Sequence, residues 1–440
     1  MQSAFYELAD ALFQGLSGDE VLLLAFDGER SDFVRLNHNR VRQAGQVEQR
    51  ALKLQLIQGS RHASATVFLA GDAAVDRERA GAALGSLREQ IPHLAPDPHL
   101  LYNTEVTSSE HCPASGLPEA GQAIEEIIAT GEGLDLVGIW ASGGVFSGFA
   151  NSLGQRNWFG TYSFNFDWSL YHQADKAVKC GYAGTEWRGA ELQQRMDRAR
   201  TQLDVLQRPA RTIDPGQYRV WLAPSALQEI LGLLAWGGFS LKAQRSKRSS
   251  LLRAVEGRER FSEAVSLSEH TGAGLSPTVQ SQGFLRPARV PLVTAGAYAD
   301  ALVSPRSARE YGVSTNGADA HEMPQSLEME AGTLATSEVP EALGTGVWIN
   351  NLWYLNYSDR TACRATGMTR FATLWVENGQ VVAPLNVMRF DDSIYRLLGD
   401  RLVSLGKERE LLLESGTYGK RNTGGMLLPG ALVDGLTFTL

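Results

Sequence analysis

Residues 160–171, GTYSFNFDWSLY, restrict the fold of this chain more than any other stretch. Large apolar side chains alternate there with small or polar ones, which is the period of a β-strand with one buried face. The large members are Tyr162, Phe164, Phe166, Trp168 and Leu170. An aromatic stripe can also form a sugar-binding platform, but a face packed on the hydrophobic core is the favoured interpretation. We therefore expect a sheet with one covered face.

The rest of the first half alternates between helix and strand patterns. Two strands on either side of a Gly-Ser pair predict a hairpin over 50–70. VLLLAF (21–26) is predicted as a short strand, DGERS (27–31) as a turn and DFVRLN (32–37) as a return strand. Apolar residues at helical spacing predict helices over 2–16, 76–90, 118–133 and 187–206.

The second half has a different pattern of predicted secondary structure, with many short strands and glycine-rich turns. Two prolines and a glycine mark a predicted linker at 207–216. TLWVENGQVVAPL predicts a hairpin in which Asn378-Gly379 adopts the positive φ angles of a type I′ turn, and the terminal GALVDGLTFTL predicts a closing strand. The predicted fold is α+β, with an N-terminal α/β domain of hairpins and helices at 1–206 and a C-terminal domain dominated by a mixed β-sheet at 217–440.

Composition argues against two classes of protein. The 440-residue chain carries a formal net charge of −8 at pH 7, whereas general nucleic-acid binders present a basic face. Its one cationic stretch, 242–253, is predicted to be a solvated loop. No apolar run approaches the ~20 residues of a membrane span, and the N-terminus lacks the pattern of a signal peptide. Three widely separated cysteines are typical of a reducing compartment. We expect a cytoplasmic protein that contacts neither nucleic acid nor membrane.

The familiar catalytic motifs are missing from the sequence. His321-Glu322 begins like HExxH, but the fifth position is Gln325 and Pro324 interrupts any helix, so a surface loop is expected. Histidines at 93, 99 and 111 share one loop and are a possible metal cluster, although exposed loop histidines are the favoured interpretation. Neither a GxSxG elbow nor a GxxxxGK[ST] phosphate loop occurs.

A strand followed by a helix is predicted over 216–238, GQYRVWLAPSALQEILGLLAWGG. Ser225 and Gln228 have the spacing of a capping box, in which the serine hydroxyl accepts from a helical amide and the glutamine reaches back. Glu229 is then expected in the first turn, where a negative charge stabilises a helix by about 0.3–1 kcal/mol. Ordinary helix-start chemistry accounts for these polar residues without any catalytic role.

At this junction the chain resembles the TldD/PmbA family, metalloprotease-type proteins once described as modulators of DNA gyrase. The resemblance extends over nearly the whole chain and is strongest in the second half. The segments that carry it are WLAPSALQEILGLLAWGGFS, SQGFLRPARVPLVTAGAYADALVSPRSAREYGVSTNGA, FATLWVENGQVVAPLN and VDGLTFTL.

In the catalytic TldD branch, the resemblance implies an HExxxH helix whose two histidines hold zinc together with a cysteine near the C-terminus. The glutamate of that motif is the general base. On this sequence the first histidine position is Gln228, the glutamate is Glu229, the second histidine position is Leu233, and the cysteine position is assigned to Tyr418. Leucine cannot coordinate zinc and an amide is a poor ligand. The chain therefore looks like the other branch, PmbA (TldE), with zinc expected in a TldD-like partner and no metal in this chain.

The resemblance implies a non-catalytic subunit of a heteromeric zinc peptidase that processes or degrades small or unfolded peptides, with Glu229 as a remnant of the general base. Alone, the chain is expected as a possible homodimer. Peptide binding in the family implies strand addition at a sheet edge. The candidate edge is 350–379, with Arg364, Gly367 and Arg370 in its irregular middle as candidate contacts for a peptide carboxylate. Ordinary turn and solvated-face residues are the alternative.

Two other functions stay open. The first is a self-sufficient hydrolase in which Glu229 acts with ligands such as His270 or the loop histidines. The second is a peptide-binding scaffold that cleaves nothing in any complex. A neighbouring gene for an HExxxH-bearing homologue favours the subunit over the scaffold.

Overall fold

The computed structural model describes residues 1–173 and 176–439. The helices are α1 (Gln2–Gln14), α2 (Ala73–Gln90), α3 (Ala120–Thr130), α4 (Gly189–Leu206), α5 (Pro224–Ala235), α6 (Leu241–Arg245), α7 (Leu252–Val255), α8 (Pro305–Tyr311), α9 (Val339–Leu343) and α10 (Ile394–Leu397).

The strands of the first half are β1 (Val21–Asn37), β2 (Arg40–Gln58), β3 (Arg61–Phe68), β4 (Ser109–His111), β5 (Asp135–Asn151), β6 (Arg156–Gln173) and β7 (Lys176–Gly184). Those of the second half are β8 (Gly216–Leu222), β9 (Leu267–Glu269), β10 (Val290–Thr294), β11 (Ala297–Tyr298), β12 (Ser326–Met329), β13 (Gly346–Asp359), β14 (Arg364–Glu377), β15 (Gln380–Pro384), β16 (Arg389–Ser393), β17 (Leu402–Leu413) and β18 (Gly425–Phe438).

Two sheets organise the chain and confirm the α+β prediction. The first has the order β3-β2-β1-β5-β6-β4, with β7 also paired to β6. The second has the order β11-β10-β9-β12-β18-β16-β14-β13-β8, with β15 on β14 and β17 on β18. Parallel pairs β12–β18 and β13–β8 lie among antiparallel ones, so the second sheet is mixed, as predicted.

The N-terminal sheet is covered by helices at two places. Helices α1 and α2 pack on β1 and β2 through residues such as Phe5 and Leu84. Helices α3 and α4 pack on β5 and β6, where Phe164, Phe166 and Trp168 are almost fully buried. Phe164, Phe166, Trp168 and Leu170 of the aromatic stripe are therefore core, as predicted, whereas Tyr162 is half-buried.

Helix α4 also joins the two halves of the molecule. Its residue Leu203 shares one hydrophobic cluster with Leu374 of the C-terminal sheet. The segment after α4 runs to β8 and is pinned by the Arg211 amide, which donates to the Pro384 carbonyl at 2.8 Å. The domain division at 207–216 stays a prediction.

The turn predicted at 27–31 is wrong, because β1 runs unbroken through it. Asp27 pairs with Ala51 of β2 on one side and with Ser147 of β5 on the other. Hydrogen bonds to the two neighbouring strands satisfy the backbone of 27–31, so these polar residues stay in the strand instead of forming a turn. Gly143 of β5 is required at this crossing: its φ is 139°, and an added Cβ would lie 2.2 Å from the Arg30 carbonyl oxygen.

Both hairpins predicted from turn residues are confirmed. β2 and β3 pair around 59–60, and β14 and β15 pair around Asn378 and Gly379, whose φ angles are 50° and 74°. The predicted closing strand corresponds to β18. Leu440, the last residue of that prediction, lies outside the described residues.

The cationic stretch 242–253 is only partly the solvated loop that was predicted. It contains most of α6 and the start of α7, and Ser249 and Ser250 are buried. Its basic side chains, such as Arg245 and Arg248, are exposed. Among the helices of the described residues, none combines the length and apolar character needed to cross a membrane. A cytoplasmic location stays a prediction.

Candidate functional site

The junction between β8 and α5 differs from the predicted capping box. The helix begins at Pro224 with Ala223 as N-cap and without a side-chain cap. Proline is favoured at this first position because its φ is already helical and its missing amide needs no partner. Ser225 therefore lies inside the helix, and Glu229 lies in the second turn. The capping box at Ser225 and Gln228 and the first-turn position of Glu229 are both wrong.

Helix α5 has one face in the core and one face on a cavity. The core face packs into the C-terminal hydrophobic cluster; its residues are Ala226, Leu227, Ile230, Leu231 and Leu234. The other face lines a cavity of about 380 Å³; its residues are Ser225, Gln228, Glu229, Gly232 and Leu233. Helical spacing alone produces this division, because residues three and four apart share a face.

The opposite walls of this cavity come from both halves of the chain. β6 contributes Asn165 and Asp167, and β7 contributes Lys179 and Cys180. The wall from the C-terminal half includes Asn351, Leu355, Glu414 and Met426. Gln228, Gly232 and Glu414 also line a second cavity of about 590 Å³. The two cavities form one cleft along α5.

Burial shifts the pKa of three groups in the cleft, Glu229, Asp167 and Cys180, toward the neutral form. Burial by the cleft walls raises the pKa of the Glu229 carboxyl, Glu414 raises it further, and Lys179 opposes the shift. Burial also raises the pKa of Asp167, although Lys179 Nζ lies 3.3 Å from its Oδ2. Burial raises the pKa of the Cys180 thiol to about 12, so this sulfur is a protonated thiol and a poor nucleophile at neutral pH. The cleft offers hydrogen-bonding and charged groups for a ligand, without an activated nucleophile.

The residues at the family's ligand positions do not fit zinc. Leu233 is an apolar side chain, only 9% exposed, and Gln228 offers an amide. Tyr418 is fully exposed on the loop between β17 and β18. Across 1–173 and 176–439, no group of three or more His, Cys, Asp or Glu side chains is arranged to hold a metal ion. The absence of zinc from this chain stays a prediction.

Neither His270 nor the loop histidines complete a site with Glu229 in the structure. His270 Nδ1 contacts the Glu328 carboxylate in a different cavity. His93 and His111 are exposed, as expected for loop histidines.

The surface loop predicted at His321-Glu322 is wrong for the glutamate. Glu322 is 1% exposed and accepts hydrogen bonds from Ser240 Oγ at 2.6 Å and the Lys242 amide at 2.9 Å. The Ser304 amide and hydroxyl both donate to its other oxygen at 2.9 Å. Glu322 is therefore a structural carboxylate that joins the starts of α6 and α8, whereas His321 is exposed.

Arg364, Gly367 and Arg370 lie on β14, whose pairing with β13 is irregular there, with three register shifts and a φ of 56° at Phe371. Its residues 364–368 lie inside the sheet, because β14 pairs there with both β13 and β16. A Cβ on Gly367 would lie 2.9 Å from side-chain atoms of Leu355 and Phe390, so packing explains this glycine. Arg364 forms an ion pair with Asp391, and Arg370 lies over the Trp353 ring. Peptide contact by these residues stays a prediction, but this part of β14 is not a sheet edge.

Sequence reasoning missed the residues that build the cleft around α5. Asp167, Lys179, Glu414 and Arg421 lie on separate elements and belong to no local motif. The contrast between an apolar and a polar face of α5 was the one signal in the sequence that could have located the cleft.

Comparisons with known proteins agree with this architecture. A family model for the C-terminal domain of PmbA/TldA metallopeptidases matches residues 215–440. No curated protein matches the sequence. Solved structures of other proteins share the fold. A protein described as a modulator of DNA gyrase from Thermotoga maritima is 14% identical with a TM-score of 0.76, covering 99% of this chain and 100% of that one.

Two further similar structures also match along almost their whole length. TldE from Thermococcus kodakarensis is 14% identical with a TM-score of 0.77, with 99% of this chain and 100% of that one covered. A second protein described as a modulator of DNA gyrase, from Bacteroides thetaiotaomicron, is 16% identical with a TM-score of 0.70, with coverage of 99% and 98%. These identities establish the fold alone. The family model covers more than half of the sequence, and the chain therefore belongs to the PmbA/TldD metallopeptidase family.

Proposed function

We propose that this chain is the non-catalytic, PmbA (TldE)-like subunit of a heteromeric zinc metallopeptidase that processes or degrades small or unfolded peptides. Its partner is a TldD-like subunit that carries the zinc. One observation carries the proposal: α5 keeps a carboxylate at Glu229 but has an amide at Gln228 and an alkyl group at Leu233, where the catalytic branch has histidines.

The chemistry of zinc supports this assignment. A catalytic zinc needs about three protein ligands and an open position to activate water. Glu229 lines the cleft, and its side chain makes no hydrogen bond to another side chain of the described residues. Without a bound metal, this carboxylate has no activated water to deprotonate. The likeness to TldE over 99% of the chain is in keeping with the non-catalytic branch.

The cleft gives the subunit a role beyond assembly. Its walls come from both halves of the chain and its two cavities are large enough for several residues of an extended peptide. We infer that the subunit helps to enclose the peptide while the partner cuts it. A homodimer of the isolated chain and a cytoplasmic location are parts of the same proposal.

Purification of the tagged full-length protein from its native host, with zinc measured by mass spectrometry, tests the proposal. The expected result is a roughly equimolar second chain carrying HExxxH and one zinc per complex. Peptidase activity of the complex should survive Glu229→Gln here and be lost when the partner's HExxxH glutamate is replaced. A lone metal-free chain that binds peptide would favour the scaffold function, and a lone chain with tightly bound zinc would favour the self-sufficient hydrolase.

A further inference from the structure

The larger cavity beside α5 is bounded by two guanidinium groups that lack ion-pair partners. Arg421 is 5% exposed and donates to neutral acceptors, the carbonyl oxygen of Ser163 at 3.0 Å and its hydroxyl at 2.6 Å. Arg286 donates to the Gly317 carbonyl at 3.2 Å and to the side-chain oxygen of Gln325. Neither forms a salt bridge with a carboxylate among the described residues. A buried cation without an anionic partner is costly, so such groups are usually paired.

A side-chain amide without a hydrogen-bond partner lines the same cavity. Gln280 is 6% exposed, and its amide nitrogen has no hydrogen-bond partner among the described residues. Its amide oxygen already accepts from the Gln282 backbone, which fixes the orientation of the group. Buried donors in folded proteins are nearly always satisfied, so an acceptor is expected from outside the chain.

The carboxylates around this cavity are largely engaged elsewhere. Asp27 and Lys420 neutralise each other across 2.6 Å. Asp319 accepts from the amides of 321 and 322 at 2.9 Å and from the Gln325 side chain at 2.8 Å. One oxygen of Glu29 accepts from the Arg421 backbone amide at 3.2 Å and from Gln49 at 2.6 Å, and its other oxygen has no hydrogen-bond partner among the described residues. Glu414 is the remaining acid, and it also faces the smaller cavity beside Glu229.

The burial of the two arginines agrees with an unmet need for an anion. Burial lowers the pKa of Arg421 to about 10, opposed only by Glu29. Burial also lowers the pKa of Arg286, with Glu269 and Asp319 opposing the shift. Both shifts show that the charged forms are incompletely compensated in this cavity.

We propose that this cavity, bounded by Gln280, Arg286 and Arg421, binds a carboxylate group of a peptide. The carboxylate is either the C-terminus of the peptide or an acidic side chain. That the ligand is a peptide rests on the proposed function, whereas the requirement for a carboxylate rests on the cavity itself.

The floor of the cleft leaves room for the rest of the ligand. Gly232 lines both cavities, and a Cβ added there would meet no heavy atom within 4 Å. A peptide held by its carboxylate can extend over Gly232 into the smaller cavity, past Gln228 and Glu229. Gln228 and Leu233, at two of the family's ligand positions, then lie beside the bound chain, where they contact it without cutting it.

Fluorescence anisotropy of the isolated full-length chain with three labelled alanine pentapeptides tests the proposal. The first ends in a free carboxylate, the second in an amide, and the third in an amidated glutamate. We expect the free acid to bind about tenfold or more tightly than the amide, because charge-assisted hydrogen bonds are roughly twice as strong as neutral ones. Recovery of affinity by the amidated glutamate identifies a side-chain carboxylate as sufficient, and its failure assigns the site to the C-terminus.

Three variants complete the test. Arg286→Gln should abolish the preference for the acid. The control, Arg289→Gln, replaces an exposed arginine three residues away that is paired with Glu330, and it should retain the preference. Gly232→Leu should weaken binding of all three peptides while keeping or raising the melting temperature, because leucine is a far better helix former than glycine. It therefore separates a blocked cleft from a misfolded protein.

Equal binding of acid and amide, binding of neither, or a preference unchanged in Arg286→Gln would each overturn the proposal. The proposed function fails on a different result, the absence of a zinc-bearing partner. A chain that purifies with that partner but ignores carboxylates refutes only the cavity assignment.

Discussion

Replacing Tyr357 with phenylalanine deletes a hydroxyl group that lies 2.7 Å from the backbone carbonyl oxygen of Leu233 and 2.9 Å from Ser250 Oγ. The carbonyl is at the C-terminal end of α5, where helical amides no longer reach. The amides of 236, 237 and 238 go instead to Gly232, Ala235 and Leu234. The tyrosine is therefore the partner that satisfies this carbonyl among the described residues.

The magnitude follows from what the substitution leaves behind. A hydrogen bond contributes about 1 kcal/mol net, and an unsatisfied buried carbonyl costs about 1–3 kcal/mol. We expect Tyr357→Phe to lower the free energy of unfolding by about 2–3 kcal/mol, and the melting temperature by about 5–10 °C if the C-terminal half unfolds as one unit. Burial raises the pKa of Tyr357 above its usual range, so the hydroxyl stays protonated and the loss should be the same from about pH 6 to 9.

Urea unfolding and differential scanning calorimetry measure this loss, with Tyr354→Phe as the matched control. Tyr354 is on the same strand but is 79% exposed, and its hydroxyl makes no hydrogen bond to the described residues. Hydrogen exchange of the amides at 236–238 should also accelerate in Tyr357→Phe. Equal stability of the two variants would refute the claim that this hydroxyl holds the end of α5.

Three further predictions concern buried or paired carboxylates. Glu322→Gln should cost about 2–4 kcal/mol because an amide nitrogen replaces an acceptor of two donors, while His321→Gln should change the urea midpoint little. Glu229→Gln should leave stability at pH 7 unchanged or higher, since burial raises the pKa of this carboxyl; any gain should disappear as pH falls below the ordinary glutamate pKa. Burial acts to raise the pKa of Asp97. Hydrogen bonds from the Arg306 side chain, the His99 amide and the His62 ring have the larger effect and hold that pKa well below its usual range. The stability that Asp97 contributes is therefore lost as pH falls below about 4, and Asp97→Asn should lose less stability than the wild type in urea unfolding between pH 6 and pH 3.

Features set by local periodicity could be predicted from the sequence. The strand at 160–171 and the turn at Asn378-Gly379 follow from side-chain alternation and backbone preference, which act over a few neighbouring residues. The polar stretch 27–31 could not be predicted in the same way. Its strand conformation depends on partners at 47–51 and 143–147, which are distant in the sequence.

The start of α5 shows how one neighbour changes the meaning of a motif. Ser225 and Gln228 have the right spacing for a capping box, but Pro224 takes the first helical position and moves the cap to Ala223. The buried role of Glu322 was hidden for a related reason. Its donors at 240, 242 and 304 come from two other segments, so the sequence around it resembled an exposed turn.

The cleft itself was beyond local sequence patterns, although the metal positions were assigned by resemblance. Gln228 and Leu233, at the two histidine positions of the family, differ in their surroundings. Gln228 faces both cavities and makes no contribution to the buried cluster, whereas Leu233 is packed in that cluster and its carbonyl is held by Tyr357. A histidine at 233 would place a polar ring where an alkyl side chain now packs against that cluster at the edge of the cleft, and a ring nitrogen left unsatisfied there would cost about 1–3 kcal/mol without a metal to bind it. Leu233 therefore stabilises the helix that a zinc ligand would strain, and regaining metal chemistry would require changes in the surrounding core as well as in the ligands.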